Sequence, residues 1–123
     1  MADLIPAFHK LRRFGYDGRG VQSIKTESDW EKGFEEPGVL EKAVEIDKEL
    51  SVIIIVNENG EMESFPPVEL VFDPELNLVD YLLSPAQVSE SIGRKAVEIA
   101  EKTVSAFKSP GIFAVEMFLD PKG

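Results

Sequence analysis

An α+β fold with a mostly antiparallel sheet, and a long C-terminal helix packed on it, is predicted by three features of the sequence. The run Val52-Ile53-Ile54-Ile55-Val56 is too short for a core helix and rich in β-branched residues, so it reads as a strand. Asn59-Gly60 follows at once and signals a hairpin that sends the chain back antiparallel. Over residues 85–108, Val88, Ile92, Ala96, Ile99, Ala100, Thr103 and Phe107 recur at three- and four-residue spacing, which makes one apolar stripe facing a sheet. With 123 residues the chain is long enough for one domain, or for part of a larger one.

Element by element, residues 5–13 and 21–25 read as short strands flanking the loop RRFGYDGRGV. Ser28-Asp29-Trp30-Glu31 has the capping-box pattern, with Ser28 at the N-cap, and Trp30 and Phe34 give that short helix its apolar face. Pro37-Gly38 ends it. The segment VLEKAV, residues 39–44, leads to a strand over residues 49–56 whose continuous apolar run predicts cover on both faces. A type I′ turn at Asn59-Gly60 requires positive φ at both residues. The return strand, residues 61–72, alternates, so Met62, Val68, Leu70 and Phe72 share one face and Glu61, Glu63 and Glu69 the other. Pro66-Pro67 marks an edge or a bulge in it. A further strand near residues 77–83 precedes the long helix, for which Ser84 is the expected N-cap, Pro85 the first helical residue and Gln87 the capping-box partner. Ser109-Pro110-Gly111 stops the helix, and residues 112–119 form the last strand. Asp120-Pro121-Lys122-Gly123 has turn composition, so a partner strand is expected beyond it and the chain reads as cut from a longer protein.

The charge distribution narrows the function. A formal net charge of -10 excludes a nucleic-acid-binding surface, which needs clustered Lys and Arg. Yet Lys10, Arg12, Arg13 and Arg19 fall within ten positions, whereas residues 45–75 hold nine carboxylates against Lys48 alone. An acidic body with one basic spot points to a small anionic ligand there. No apolar run reaches the ~20 residues of a membrane-spanning helix. MADLIPAF lacks the basic and apolar regions of a secretory signal, and the absence of cysteine fits a reducing compartment, so the cytoplasm is expected.

Three groups of residues have the chemistry for a site. Gly15, Gly18 and Gly20 let backbone N–H groups turn inward around a phosphate, with Lys10 and the arginines adding charge. Asp17-Gly18 is equally a common hairpin turn, and no Gly-Lys-Ser/Thr follows, so this is not a P-loop. Glu41-Lys42-Ala43-Val44 offers extended backbone to the edge of a flat base, and Glu49 a carboxylate to ribose hydroxyls; a solvent-facing glutamate on a strand is the alternative. Glu116 alternates with Ile112, Ala114 and Phe118 on one face of its strand, where a carboxylate is a magnesium ligand or half of a buried salt bridge. His9 and Trp30 read as packing residues.

Taken in order, Lys10, GYDGRG at 15–20, EKAV at 41–44, Glu49 and AVEMFL at 114–119 resemble the ATP-grasp fold. The stretch K-x-R-R-x-G-Y-D-G-R-G is similar, more narrowly, to the N5-carboxyaminoimidazole ribonucleotide synthase family of purine biosynthesis, also called the ATPase subunit of phosphoribosylaminoimidazole carboxylase. The resemblance spans the whole chain but only a central part of a family member. It implies that residues 1–40 belong to a glycine-loop lid subdomain and residues 41–123 to the larger ATP-grasp subdomain, truncated before its last strands. It also implies that Lys10 contacts the ATP phosphates beneath a lid of Gly15, Tyr16, Asp17, Gly18, Arg19, Gly20 and Val21. Glu41, Lys42, Ala43 and Val44 would hold adenine, mostly by backbone, Glu49 the ribose, and Glu116 Mg2+. The second metal ligand and the acceptor pocket would lie outside the chain, and no catalytic residue is assigned within it. Where the family often has a histidine near the nucleotide, this sequence has Phe72. The implied reaction uses ATP and bicarbonate to carboxylate 5-aminoimidazole ribonucleotide, in an enzyme that is a homodimer when full-length; the 123 residues alone are expected to be inactive. Two alternatives stand beside it: another ATP-grasp carboxylate-amine ligase, or a non-enzymatic acidic interaction module whose glycine hairpin is structural.

Overall fold

A computed structural model describes residues 4–15, 19–73 and 78–123. The chain divides into two compact units, Met1–Glu45 and Ile46–Gly123. The strand bearing Glu41 and Lys42 lies in the first unit.

In the first unit β1 (Ala7–Leu11) is the middle strand of an antiparallel sheet of order β2-β1-β3, flanked by β2 (Val21–Ile24) and β3 (Gly38–Lys42). Ala7 and Ile24 face each other across β1 and β2, and both are buried. A 3-10 helix (Glu27–Lys32) joins β2 to β3. Its N-cap is Thr26, two residues before the expected Ser28, because the Asp29 carboxylate accepts hydrogen bonds from the backbone N–H of Lys25 (3.0 Å) and Thr26 (2.9 Å). Lys32 Nζ, 2.6 Å from Asp29 Oδ1, and those two N–H groups hold the Asp29 carboxyl well below the usual carboxylate range.

The second unit is built around β4 (Lys48–Val56). β8 (Gly111–Leu119) pairs along its whole length on one side; β5 (Met62–Ser64) and β6 (Val68–Phe72) share the other, and β7 (Val79–Leu83) pairs with β6. All pairings are antiparallel. Helix α1 (Glu90–Ser105) lies on one face, where Leu50, Val52 and Ile54 meet Ala96, Ala100 and Val104, with Leu119 closing the cluster. The small alanines let the helix axis approach the sheet, and burying the three β4 side chains contributes on the order of 5 kcal/mol. No helix among the described residues is long and apolar enough to cross a membrane.

The second unit departs from the sequence reading in four places. Ile53 and Ile55 are each 38% exposed, so the apolar run of β4 is covered on one face only. The return strand is broken at Phe65-Pro66-Pro67: from Ser64 to Val68 it advances four residues while its partner β4 advances three, from Ile54 to Ser51. That one-residue slip puts Met62 on the helix face and Val68, Leu70 and Phe72 on the other. Helix α1 starts at Glu90 with Ser89 as N-cap, its side chain accepting from Ile92 N–H. The residues expected to open it are occupied elsewhere, Ala86 N–H by Pro67 O and Gln87 N–H by the Glu69 carboxylate. The buried stripe is Ala96, Ala100 and Val104; Ile99 is exposed, and Phe107 lies past the end of the helix, exposed and stacked on Phe113. Finally, only Gly60 of the Asn59-Gly60 pair has positive φ (82°), and Gly60 N–H closes a turn on Asn57 O, so the loop is longer than a two-residue I′ turn.

Candidate functional site

Alternation along β1 sorts its side chains. Phe8 and Lys10 point to one face of the three-stranded sheet, and Ala7, His9 and Leu11 to the other. Lys10 lies opposite Val21 on β2 and opposite Val39 on β3, one diagonal step from Glu41. Its Nζ reaches Glu41 Oε2 at 2.6 Å, both side chains remaining open to solvent. Two residues given separate expected roles are thus one ion pair. The signal for it lay in the parity of the two strands, but only a known register makes it readable.

The backbone of residues 41–44 is equally ordered. Ala43 N–H donates to Pro6 O at 2.8 Å, and Arg12 N–H donates to Pro37 O at 3.1 Å. Both lie in the β1–β3 register, so the groups of Val39, Glu41 and Ala43 point inward to β1. Those of Lys42 and Val44 point to the outer edge of β3, which pairs with no strand among the described residues. An outward C=O and an outward N–H two residues apart match the donor and acceptor along the edge of a purine.

Around the glycine loop, Leu11 N–H donates to Gly20 O at 2.8 Å and Gly20 has φ +73°. A Cβ on Gly15 would sit 3.2 Å from Arg19 O, so the base of the loop is closed backbone to backbone. Phe14 also has positive φ, 64°. Tyr16, Asp17 and Gly18 lie outside the described residues.

In the second unit Glu49 and Glu116 come together. Glu116 is opposite Ser51, and Glu49 opposite Phe118, on the sheet face away from α1. The two carboxylates are diagonal neighbours, and partial burial first, then the charge of Glu116, push the Glu49 carboxyl upward. Glu116 itself is exposed on a face with Ile112 and Phe118 beside it, so it is not half of a buried salt bridge. Among the described residues no group of three or more metal-ligating side chains occurs. Two neighbouring carboxylates are nonetheless a fit for magnesium, which takes one or two protein carboxylates and completes its shell with phosphate oxygens and water. Phe72 lies on the same face as Leu70, at the bulge opposite Val79.

A glycine-hairpin sheet in one unit and a carboxylate-bearing sheet in the next are the parts of one class of protein. Residues 4–123 match the ATP-grasp domain, and the chain belongs to the ATP-grasp family. Among curated proteins it is 41% identical over 118 residues to phosphoribosylaminoimidazole carboxylase of Candida glabrata, covering 93% of this chain and 20% of that one. It is 37% identical to N5-carboxyaminoimidazole ribonucleotide synthase of Bacillus subtilis, covering 97% of this chain and 32% of the relative. Carboxyaminoimidazole ribonucleotide synthase of Aspergillus clavatus, solved with ATP, superposes with a TM-score of 0.86 at 34% identity, over 95% of this chain and 31% of that one. The chain therefore spans about a fifth to a third of the length of the curated relatives it matches.

Proposed function

We propose that the chain is the ATP-binding portion of a ligase that uses ATP and bicarbonate to carboxylate 5-aminoimidazole ribonucleotide to N5-carboxyaminoimidazole ribonucleotide. The likeness to the Aspergillus clavatus synthase that was solved with ATP carries this reading. The work divides among the residues as follows. Lys10 has three donors and gives one to Glu41, so two remain for phosphate oxygens. Gly15, Tyr16, Asp17, Gly18, Arg19, Gly20 and Val21 cover the phosphates with backbone N–H groups and exclude water. Lys42 C=O and Val44 N–H read the adenine edge, while Glu41 and Ala43 keep the strand in place. Glu49 accepts from the ribose hydroxyls, and Glu116 holds Mg2+, which when bound neutralises charge on the phosphate oxygens.

A bicarbonate oxygen attacks the γ-phosphorus as the bond to ADP breaks, giving carboxyphosphate; the substrate amine then attacks its carbon and phosphate leaves. Phosphoryl transfer of this kind needs positioning and charge neutralisation more than covalent help. The lid matters because the mixed anhydride is lost to water. The lack of cysteine fits a cytoplasmic enzyme, and the family resemblance carries the expectation of a homodimer for the full-length protein.

The test is a chimera in which these residues replace the matching segment of the Bacillus subtilis synthase. ADP release that depends on both bicarbonate and 5-aminoimidazole ribonucleotide, and that drops at least ~100-fold with Lys10→Met, is the expected result. A folded chimera that binds no ATP would overturn the proposal.

A further inference from the structure

The ring of His9 occupies a slot that the neighbouring backbone leaves for it. Its Nδ1 accepts a hydrogen bond from Phe34 N–H at 3.3 Å, and its ring meets that of Phe34 at 5.4 Å between centroids, tilted by 56°. Glycines flank it on both sides. A Cβ on Gly33 would stand 3.2 Å from Nδ1, and one on Gly38 would stand 2.5 Å from both Nε2 and Lys10 O. Gly33 is the C-cap of the 3-10 helix and Gly38 the first residue of β3. The imidazole is therefore hydrogen-bonded at one end of the connection between those elements and stands so close to the other that position 38 has no room for a Cβ. His9 is also directly opposite Leu40, one residue before the Glu41–Val44 segment, while Lys10 beside it projects to the other face.

We infer that His9 is a positioning residue: through Gly38 and Phe34 it fixes the register of β3 on β1, and so sets where Lys10 and the outward backbone groups of Lys42 and Val44 stand. The inference rests on the reading of those groups as nucleotide contacts. A leucine at position 9 fills space but accepts no hydrogen bond. An asparagine places an acceptor oxygen near the position of Nδ1.

The test compares wild type, His9→Leu and His9→Asn by amide hydrogen exchange in the 123-residue chain, and by ATP titration followed through backbone amide resonances in the Bacillus subtilis chimera that supplies the rest of the nucleotide site. In His9→Leu, the amides of Phe34, Glu41 and Ala43 should exchange about fivefold faster, the factor that one lost hydrogen bond carries, while those of β4 and α1 keep wild-type rates. His9→Asn should restore protection, and the ATP concentration needed to shift Lys42 and Val44 should follow the same order. Unchanged exchange in His9→Leu, or no recovery in His9→Asn, overturns the inference; if His9→Leu unfolds globally, the decision passes to the coupling across the Phe34 N–H to His9 Nδ1 hydrogen bond in wild type, whose absence overturns it. If protection behaves as expected but wild-type Lys42 and Val44 do not respond to ATP, the nucleotide role of His9 falls with the proposed function and only the clamp stands.

Discussion

At Glu49 the role proposed for the residue and the stability of the sheet conflict. Its carboxyl titrates above the ordinary glutamate value of 4.5, because burial and the Glu116 charge both penalise the ionised form. The native chain thus holds that proton more tightly than the unfolded chain, and Glu49 costs stability at pH values above its raised native pKa. The cost disappears as pH falls below 4.5. Glu49→Gln should accordingly stabilise the second unit at pH 7 by less than about 1 kcal/mol, the scale of a like-charge cross-strand pair. The gain should vanish near the acid end of that range, and thermal melts of both proteins across pH would show it; an equal gain at all pH values would assign the effect to packing. Phe14 is a second residue out of balance, 88% exposed and at φ 64°, where an L side chain meets its own carbonyl. Phe14→Gly should relieve roughly 1 kcal/mol of strain, offset in part by the entropy of the freer unfolded chain. Slower exchange of Leu11 N–H, which donates to Gly20 O, would report it.

At the scale of elements, the start of α1 separates what local signals specify from what tertiary contacts decide. Ser84-Pro85 and Gln87 carry the stronger local start signal, yet Glu69 and Pro67 engage residues 86 and 87, and the helix waits for Ser89. Ser89→Ala should therefore cost about 1 kcal/mol, the usual value of an N-cap, and Ser84→Ala much less. Chemical denaturation of the two variants decides between the caps, since a larger loss at Ser84 would restore the earlier start. The same logic sorts the rest of the fold. The hairpin strands of the first unit, β4, β7, β8 and the apolar helix were legible from local composition and spacing, whereas β3 was read only as extended backbone and β5 and β6 as one strand. The slip at Phe65-Pro66-Pro67 was not, because the prolines announce a break but not which way the register moves, and the exposed face of β4 was not, because an apolar run carries no record of what covers it. In the site, Glu49 and Glu116 were found by residue type and resemblance, and their adjacency came only from the β4–β8 register. The Lys10–Glu41 pair and the slot around His9 depend on the β1–β3 register in the same way.

For the whole molecule, the distribution of core is uneven. Among the described residues, Ala7 and Ile24 are the buried apolar side chains of the first unit, whereas the second has Leu50, Val52, Ile54, Ala96, Ala100, Val104 and Leu119. A buried Ile is worth roughly 1.5–3 kcal/mol and an Ala far less, so the three-stranded sheet has little apolar burial to set against the entropy of ordering its backbone. What remains for it is the ladder itself, the Asp29 cap and the contacts of His9. The unit proposed to close over phosphates is therefore also the one that opens most easily, as elements that must move are expected to be. Native-state hydrogen exchange should find the amides of β1 and β3 opening at least about 3 kcal/mol more readily than those of β4, β8 and α1, a factor on the order of 100 in rate. Low concentrations of urea should lower protection in the second group only through global unfolding, and in the first through a smaller local opening with a shallower denaturant dependence. Equal protection with one common denaturant slope would mean that the two units unfold together, and that the first draws stability from something other than its own core.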